Sequence, residues 1–172
     1  VVPDKLYYTL IDMYRDNVFG NGLETSQLLE IETLDGGKIT ACKHANGRDW
    51  WILVADFDGD EYYRFLLTPE GINTLASQKT PVPPFYLGVG QAYFSPDGGT
   101  YANITNHGKS PPFEGERLSI FDFDRCSGEL TFKDSIHFVT GANSALEFSP
   151  DGQYLYLGAG DHIIQLDLEA DD

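Results

Sequence analysis

The chain has 172 residues, of which 41% are hydrophobic and 13% aromatic, which is enough apolar volume to fill one well-buried core. Its 11 basic and 27 acidic residues give a formal charge of −16, which repels phosphate backbones and anionic membrane surfaces. We therefore expect no nucleic-acid partner. No apolar run approaches the length of a transmembrane helix, so we also expect no membrane insertion.

The N-terminal part of the chain, residues 1–33, contains two predicted strands, Leu6–Met13 and Gln27–Thr33. They are typical of the third and fourth strands of a four-stranded unit whose first half is missing. Val1–Lys5 lacks the basic and apolar blocks of a secretory signal. We therefore expect the chain to be part of a longer protein from which upstream sequence is missing.

Residues 34–80 are predicted to form a complete four-stranded unit with period-2 patterning. A turn at Asn46–Gly47, two residue types that tolerate positive φ, separates its first and second strands. Because neighbours on a strand point to opposite faces, one of Trp50 and Trp51 is expected in the core, and the other exposed or between units. The four predicted strands are Lys38–His44, Trp50–Val54, Glu61–Leu67 and, at the outer edge, Thr74–Gln78.

A five-residue segment occurs twice, as Phe94–Gly98 and as Phe148–Gly152, with an offset of 54 residues. Each copy reads Phe-Ser-Pro-Asp-Gly, which predicts a tight turn, and lies between two short aromatic or β-branched runs. Asn46–Gly47 stands 51 residues before Asp97–Gly98 and takes the same place in its unit. A repeat of about fifty residues made of short strands indicates a radial β-architecture, in which each unit buries its apolar faces only against its neighbours.

The repeat divides the rest of the chain into a complete unit, residues 85–140, and a partial unit, residues 141–172, that lacks its fourth strand. Within Leu118–Asp124 we expect Leu118, Ile120 and Phe121 to face a core while the acidic positions meet water. The predicted strands of the two units are a strand ending at Phe94, Thr100–Thr105, Leu118–Asp124, Leu130–Phe138, Ser144–Phe148, Gln153–Gly158 and His162–Leu168.

These units predict an all-β fold: one β-propeller-like domain of four-stranded antiparallel blades, with two complete and two partial blades in an incomplete ring. The terminal blades of such a ring present unpaired edges to water. We expect those edges either to pair with a second copy, as a homo-oligomer, or to be covered by the missing sequence.

Two insertions interrupt the regular plan: the link Pro81–Tyr86, and the loop Asn106–Glu116 between the second and third strands of its unit. Extended loops on one rim are where propellers usually bind their partners. His107 and Phe113, both in the second insertion, are therefore candidate ligand-binding residues.

Aromatic side chains provide two further candidates for ligand binding, Trp50 and Tyr62. An exposed aromatic ring at these positions would make a platform on which a sugar or a peptide stacks. Packing between blades is the alternative role of such residues.

The carboxylates of Asp56–Glu61 resemble the opening of a calcium loop, but the following positions do not, so a solvated hairpin turn is favoured. His44, with Asp49 across a turn, is expected to brace a blade through hydrogen bonds. Cys42 and Cys126 are expected to be free thiols, although a disulfide is an alternative. No histidine spacing or nucleophile motif is found, so we expect no cofactor, no metal and no catalytic residue.

The segment Lys43–Trp51, followed by Tyr62–Gly71, resembles the propeller-type ectodomains of large secreted Bacteroidetes proteins. The two Phe-Ser-Pro-Asp-Gly copies and Leu118–Phe123 fit the same family and, more loosely, the YVTN and WD40-like propellers. In that family the propeller precedes adhesion-like modules and a C-terminal domain for gliding-motility-associated or type IX sorting. The resemblance covers nearly the whole chain and implies an extracellular or outer-surface location with no established catalytic residue.

The function that these observations favour is a non-catalytic extracellular binding or structural module that presents propeller loops to a protein or a glycan. The alternative is a propeller hydrolase or lactonase with a site at the central channel. Only His44, Asp97 and Asp151 lie near the inner-strand ends that such a site would need. The turns already account for the two aspartates.

Overall fold

The computed structural model describes residues 3–12, 21–30, 32–82, 89–110, 113–138, 145–159 and 161–170, and these residues form 14 β-strands in four antiparallel sheets. We call the sheets blades 1 to 4 in chain order. The strands of blades 1 and 2 are β1 (Leu6–Asp12), β2 (Asn21–Glu30), β3 (Leu34–Lys43), β4 (Trp50–Asp56), β5 (Glu61–Thr68), β6 (Gly71–Thr74) and β7 (Gln78–Lys79). The strands of blades 3 and 4 are β8 (Val89–Phe94), β9 (Thr100–Ser110), β10 (Phe113–Asp124), β11 (Glu129–Phe138), β12 (Leu146–Phe148), β13 (Tyr154–Ala159) and β14 (His162–Asp167).

Within each blade the strands follow one another in sequence order, apart from β7, which pairs with β5, and from blade 2 onwards the first strand of one blade contacts the first strand of the next. β3 lies against β8, and β8 lies against β12, so these three are the inner strands of a radial arrangement. The chain is therefore an all-β, propeller-like protein, and its described sheets do not close into a ring. Pairing of two copies through the edges of blades 1 and 4 stays a prediction.

Each central blade buries both of its faces, because alternate residues of one strand enter different cores. In β4, Trp51 and Leu53 face blade 3, whereas Ile52 and Val54 belong to the cluster shared with blade 1. The same division runs through blade 3. Its residues facing blade 2 are Ala92, Tyr101, Phe121, Phe123 and Leu130, and those facing blade 4 are Ala102, Ile104, Leu118 and Ile120.

The turn after β8 is fixed by its own side chains. Ser95 Oγ donates a hydrogen bond to Asp97 Oδ1 at 2.6 Å and accepts one from the Thr100 N–H at 2.9 Å. The Ser95 N–H donates to the Thr100 carbonyl at 2.8 Å, and Gly98 takes a φ of 75°. A hydrogen bond from the serine hydroxyl stabilises the carboxylate form, so the pKa of Asp97 lies below its usual range.

The second copy of the motif repeats this geometry after β12. Ser149 Oγ donates to Asp151 Oδ1 at 2.5 Å and accepts from the Tyr154 N–H at 2.9 Å, while Gly152 has a φ of 80°. The Ser149 N–H donates to the Tyr154 carbonyl at 2.8 Å. The prediction that the two segments are structurally equivalent is confirmed.

A third turn of the same backbone form follows β3. The His44 N–H donates to the Asp49 carbonyl and the Gly47 N–H donates to the His44 carbonyl, both at 2.9 Å. His44 thus takes the place of the serine, and its Nδ1 accepts a hydrogen bond from the Asn46 N–H at 3.0 Å. The predicted role of His44 as a structural brace is confirmed.

Neighbouring blades are joined by the turn between β10 and β11, residues 124–129, which docks on blade 2. The Arg125 carbonyl accepts hydrogen bonds from Trp51 Nε1 at 2.8 Å and from the Ala45 N–H at 3.0 Å. Gly128 lies directly on the Trp51 ring, where a Cβ would come within 2.6 Å of a ring carbon. Trp51 is only 2% exposed and Trp50 is 40% exposed, which confirms that they occupy opposite faces.

Two details of the sequence prediction are wrong. The outer edge of blade 2 is not a strand over Thr74–Gln78 but two short strands, β6 and β7, that pair with opposite ends of β5. Asn106–Glu116 is not a loop: β9 and β10 continue as a hairpin, with Ser110 opposite Phe113. The prediction for Leu118–Asp124 is confirmed: Leu118, Ile120 and Phe121 are buried and the two aspartates are exposed, with Phe121 in the core that faces blade 2 and Ile120 in the core that faces blade 4.

We expect Ser95→Ala and Ser149→Ala to lower the free energy of unfolding by similar amounts. Each loses the bond from serine Oγ to a backbone N–H, worth about 1 kcal/mol, together with the bond to its aspartate. Because the pKa values of Asp97 and Asp151 are lowered in the folded state, the aspartate contribution is present above the unfolded pKa and lost as pH falls through the folded pKa. Urea unfolding at pH 7 and in acid should therefore show a smaller effect in acid, and unequal effects at pH 7 would contradict equivalence.

A comparison of Gly128→Ala with Gly47→Ala separates steric contact from backbone strain. Both glycines have a φ of 73°, but a Cβ meets nothing within 4 Å at Gly47 and meets the Trp51 ring at Gly128. We expect a cost of about 1 kcal/mol at Gly47 and about 2–4 kcal/mol at Gly128, measured by chemical denaturation. Equal costs would show that the docking turn is not tightly seated on Trp51.

Candidate functional site

The predicted ligand-binding residues do not come together in one site. Trp50 pairs with Leu67 at one end of the β4–β5 hairpin, whereas Tyr62 pairs with Ala55 at the other. Tyr62 has no exposed surface, and its hydroxyl accepts a hydrogen bond from Asn103 Nδ2 at 3.2 Å. Its burial between blades 2 and 3 corrects the prediction that it contacts a ligand.

The other two candidates lie on the extended hairpin. His107 is on β9 and Phe113 is on β10, and their backbones continue the ladder of blade 3. Their side chains fall outside the described part of the structure, so their role in ligand binding stays a prediction.

An open cleft of about 610 Å³ lies around Trp50, between the turn ends of β3 and β8. We call it the inner cleft. Trp50 and Lys43 are register partners on β4 and β3, Tyr93 comes from β8, and Arg125 comes from the docking turn of blade 3. The complete lining is Thr40, Ala41, Cys42, Lys43, Trp50, Tyr93, Phe94, Ser95, Pro96, Asp97, Gly98 and Arg125.

The inner cleft combines an exposed aromatic ring with two cationic side chains and one anionic side chain. The Lys43 ammonium lies 5.7 Å from the centroid of the Trp50 ring, which is the distance of a cation–π contact. The methylene stem of Arg125 lies against Gly98, since a Cβ there would be 2.9 Å from Arg125 Cδ. Asp97 is held in its turn by Ser95 and by the Gly99 N–H.

Cys42 lies at the floor of the inner cleft but is not an activated nucleophile. Both Cys42 and Cys126 are free, as predicted, but only Cys42 is packed in the interior, because Cys126 is exposed. Burial removes water from Cys42 and raises the pKa of its thiol to about 12, an effect that the nearby Arg125 only partly offsets. At neutral pH the group is therefore a thiol, whereas nucleophilic attack requires the thiolate.

A second polar cluster lies at the opposite end of the inner strands, sealed between blades 2 and 3. Lys38 is fully buried, and its Nζ is 2.5 Å from Asp35 Oδ2 and 2.5 Å from Thr105 Oγ1. Arg117 is 4% exposed and lies beside the turn at Gly59. Desolvation by burial lowers the pKa of Lys38 and raises that of Asp35, and their attraction opposes both shifts. The cluster is closed to ligands and joins the blades instead.

The carboxylate cluster Asp56–Glu61, the remaining candidate for cation binding, forms a hairpin turn. Asp56 Oδ1 accepts hydrogen bonds from the Gly59 N–H at 2.8 Å and the Glu61 N–H at 3.0 Å, so it closes the hairpin that the sequence favours there. Across the described residues, no group of three or more His, Cys, Asp or Glu side chains could hold a metal ion. Within the same residues, no helix has the length and apolar character needed to span a membrane.

No protein-family model matches the chain, and neither does any curated protein. Several solved structures match the chain. The Pseudomonas aeruginosa periplasmic gluconolactonase PpgL superposes with a TM-score of 0.68 at 16% identity, over 95% of this chain and 44% of its own. A candidate 6-phosphogluconolactonase from Bacteroides fragilis gives 0.67 at 15% identity, over 96% and 48%. The β-propeller domain of Myceliophteria thermophila Cps50 (Swd1) gives 0.53 at 14% identity, over 87% and 47%.

These similarities confirm the propeller-type fold, and at such low identity they show the fold alone. The chain spans about half the length of each of these three structures. The class that the fold defines is therefore a propeller-type all-β protein.

The buried pair of Lys38 and Asp35 gives a test of how the blades are joined. We expect Lys38→Met to lower the free energy of unfolding by about 3 kcal/mol, because it leaves a buried carboxylate unpaired. Burial raises the folded pKa of Asp35, so its protonated form is favoured at low pH and the penalty grows as pH rises through that pKa. Urea unfolding should therefore show a smaller loss at pH 4 than at pH 7. In the control, the double variant Asp35→Asn/Lys38→Met should lose less than the two single losses combined, and additive losses would contradict a coupled pair.

Proposed function

We propose that this protein is a non-catalytic binding module of an exported protein, and that the inner cleft holds a glycan or a segment of a protein. The observation that carries the proposal is Trp50, a large aromatic side chain that stays 40% exposed in a cleft of about 610 Å³. Clefts of this size accept small ligands, and exposed tryptophan rings are favoured contact residues.

Export is supported by two separate observations. One structural neighbour is a periplasmic protein. The sequence of Lys43–Trp51 resembles the ectodomains of secreted Bacteroidetes proteins. We propose that the chain belongs to such an ectodomain at the outer cell surface, in a longer protein that carries a sorting domain of the gliding-motility or type IX kind.

The second candidate function is hydrolysis of a lactone, because two of the structural neighbours are named as lactonases. The groups that the sequence offers for it are His44, Asp97 and Asp151. Each is engaged by hydrogen bonds within its own turn. The test is to follow the release of acid from gluconolactone by the purified protein in a pH-stat. A rate above the uncatalysed rate that is lost in His44→Ala would favour hydrolysis over the binding module.

We expect Trp50→Ala to abolish binding of any glycan that the wild-type protein selects on a glycan array, with at least a tenfold loss of affinity. The chain has two tryptophans and Trp51 is buried, so a change in fluorescence on binding reports Trp50. Tyr7→Ala, which removes another aromatic side chain with 50% exposure, is the matched control and should bind normally. The proposal fails if the wild type selects nothing, or if Trp50→Ala binds as the wild type does.

A further inference from the structure

Neither cation of the inner cleft forms an ion pair with a carboxylate in the described residues, although the attraction of Arg125 contributes to lowering the pKa of Asp97. Four cationic side chains of the described residues form ion pairs with a carboxylate: Lys38, Arg48, Lys79 and Lys133. In the same part of the structure, neither Lys43 nor Arg125 forms one. The inner cleft is thus a locally cationic site on a chain of formal charge −16.

The position of both cations is fixed by the fold. Lys43 is the register partner of Trp50, and its ammonium lies over the Trp50 ring. Arg125 is the first residue of its turn beyond β10, and its carbonyl is held by Trp51 and Ala45 of blade 2. The cleft therefore presents positive charge beside an aromatic face, with little chain entropy left to lose at the backbone.

The same cleft also offers hydrogen-bonding groups of both kinds. The hydroxyl of Thr40 can donate or accept, and the Asp97 carboxylate can only accept. A ligand that satisfies this set carries an anionic group for the cations, hydroxyl donors for Asp97, and an apolar ring face for Trp50.

We propose that the inner cleft binds an acidic saccharide, whose ring stacks on Trp50 and whose carboxylate is held by Lys43 and Arg125. This inference rests on the proposed function and names its ligand class. An acidic peptide satisfies the cations but brings carboxylates near Asp97 without hydroxyl donors to offset the repulsion. A neutral sugar satisfies Trp50 and Asp97 but gives neither cation an ion pair.

Isothermal titration of the full chain tests the proposal with uronic-acid trisaccharides, a neutral trisaccharide of the same linkage, and hexaglutamate. We expect at least one uronate trisaccharide to bind at least tenfold more tightly than its neutral counterpart, with an affinity that falls as salt rises to about 0.5 M. Arg125→Gln and Lys43→Gln should each weaken binding by about tenfold, the value of one charge-assisted hydrogen bond. Lys133→Gln removes a cation outside the cleft and should bind as the wild type does.

The other outcomes separate this inference from the proposed function. If the neutral trisaccharide binds as tightly as the uronate, and Trp50→Ala abolishes both, the cleft is a binding site but the acidic ligand class is wrong. If hexaglutamate binds better than every uronate, the saccharide class is wrong. If the uronates do not bind while a glycan from the array does, this inference alone is overturned.

Discussion

The structure depends on one constraint: no blade has a core of its own, so each must bury apolar surface against its neighbours, and the two central blades bury both faces. The period of two along a strand makes this possible, because alternate side chains of one strand belong to different interfaces. In β9, Tyr101 packs towards blade 2 and Ala102 packs towards blade 4. A shift of one residue in the register of β9 would exchange its two faces and place Tyr101 where the small Ala102 now fits. The pairing of β9 with β8 and β10 is therefore fixed by two cores at once, and each blade positions the next.

Polar contacts between blades follow from that arrangement and make it specific. The side chain of Gln78 bonds both backbone groups of Leu130 in the next blade, with its Nε2 donating at 2.6 Å and its Oε1 accepting at 2.9 Å. Gln91 Oε1 accepts from the Leu146 N–H at 3.0 Å and links blades 3 and 4 in the same way. Apolar packing tolerates sliding, whereas a bond to a particular backbone group does not. The contact of Gln78 with Leu130 fixes the offset between blades 2 and 3, and the inner cleft requires that offset because its walls come from these two blades.

The repeat, the strands and the turns could be predicted because their signals are local. Asn46–Gly47 and the two Pro-Asp-Gly segments supply the residues with positive φ that tight turns need. The burial of a residue against a distant part of the chain leaves no such local signal in the sequence. Lys38 lies in an ordinary strand sequence, and its partner Thr105 is 67 residues away. The burial of Tyr62 depends likewise on Asn103 and Tyr101 of the next blade. The hairpin over Asn106–Glu116 contains the glycine and proline residues typical of loops, and only its pairing partners show that it is sheet. The prediction of a site at Trp50 rested on the aromatic nature of that residue. The cleft around it could not be predicted, because residues of blade 3 form much of its wall.

Two lysines of β3 show why a ligand is expected where this strand ends and its turn begins. Lys38 and Lys43 lie on the same inner strand, five residues apart, but in opposite electrostatic environments. Lys38 is fully buried and forms an ion pair with Asp35, so its charge is largely neutralised and is not available to a ligand. The pair stabilises the contact between the blades instead. Lys43 is exposed, and its ammonium lies over the face of the Trp50 ring. An aromatic face attracts a cation without neutralising it, so the ammonium retains its attraction for an anion. One lysine of β3 therefore stabilises the contact between blades, and the other is left without an ion pair beside an aromatic ring. Stability and recognition thus depend on different residues of the same strand.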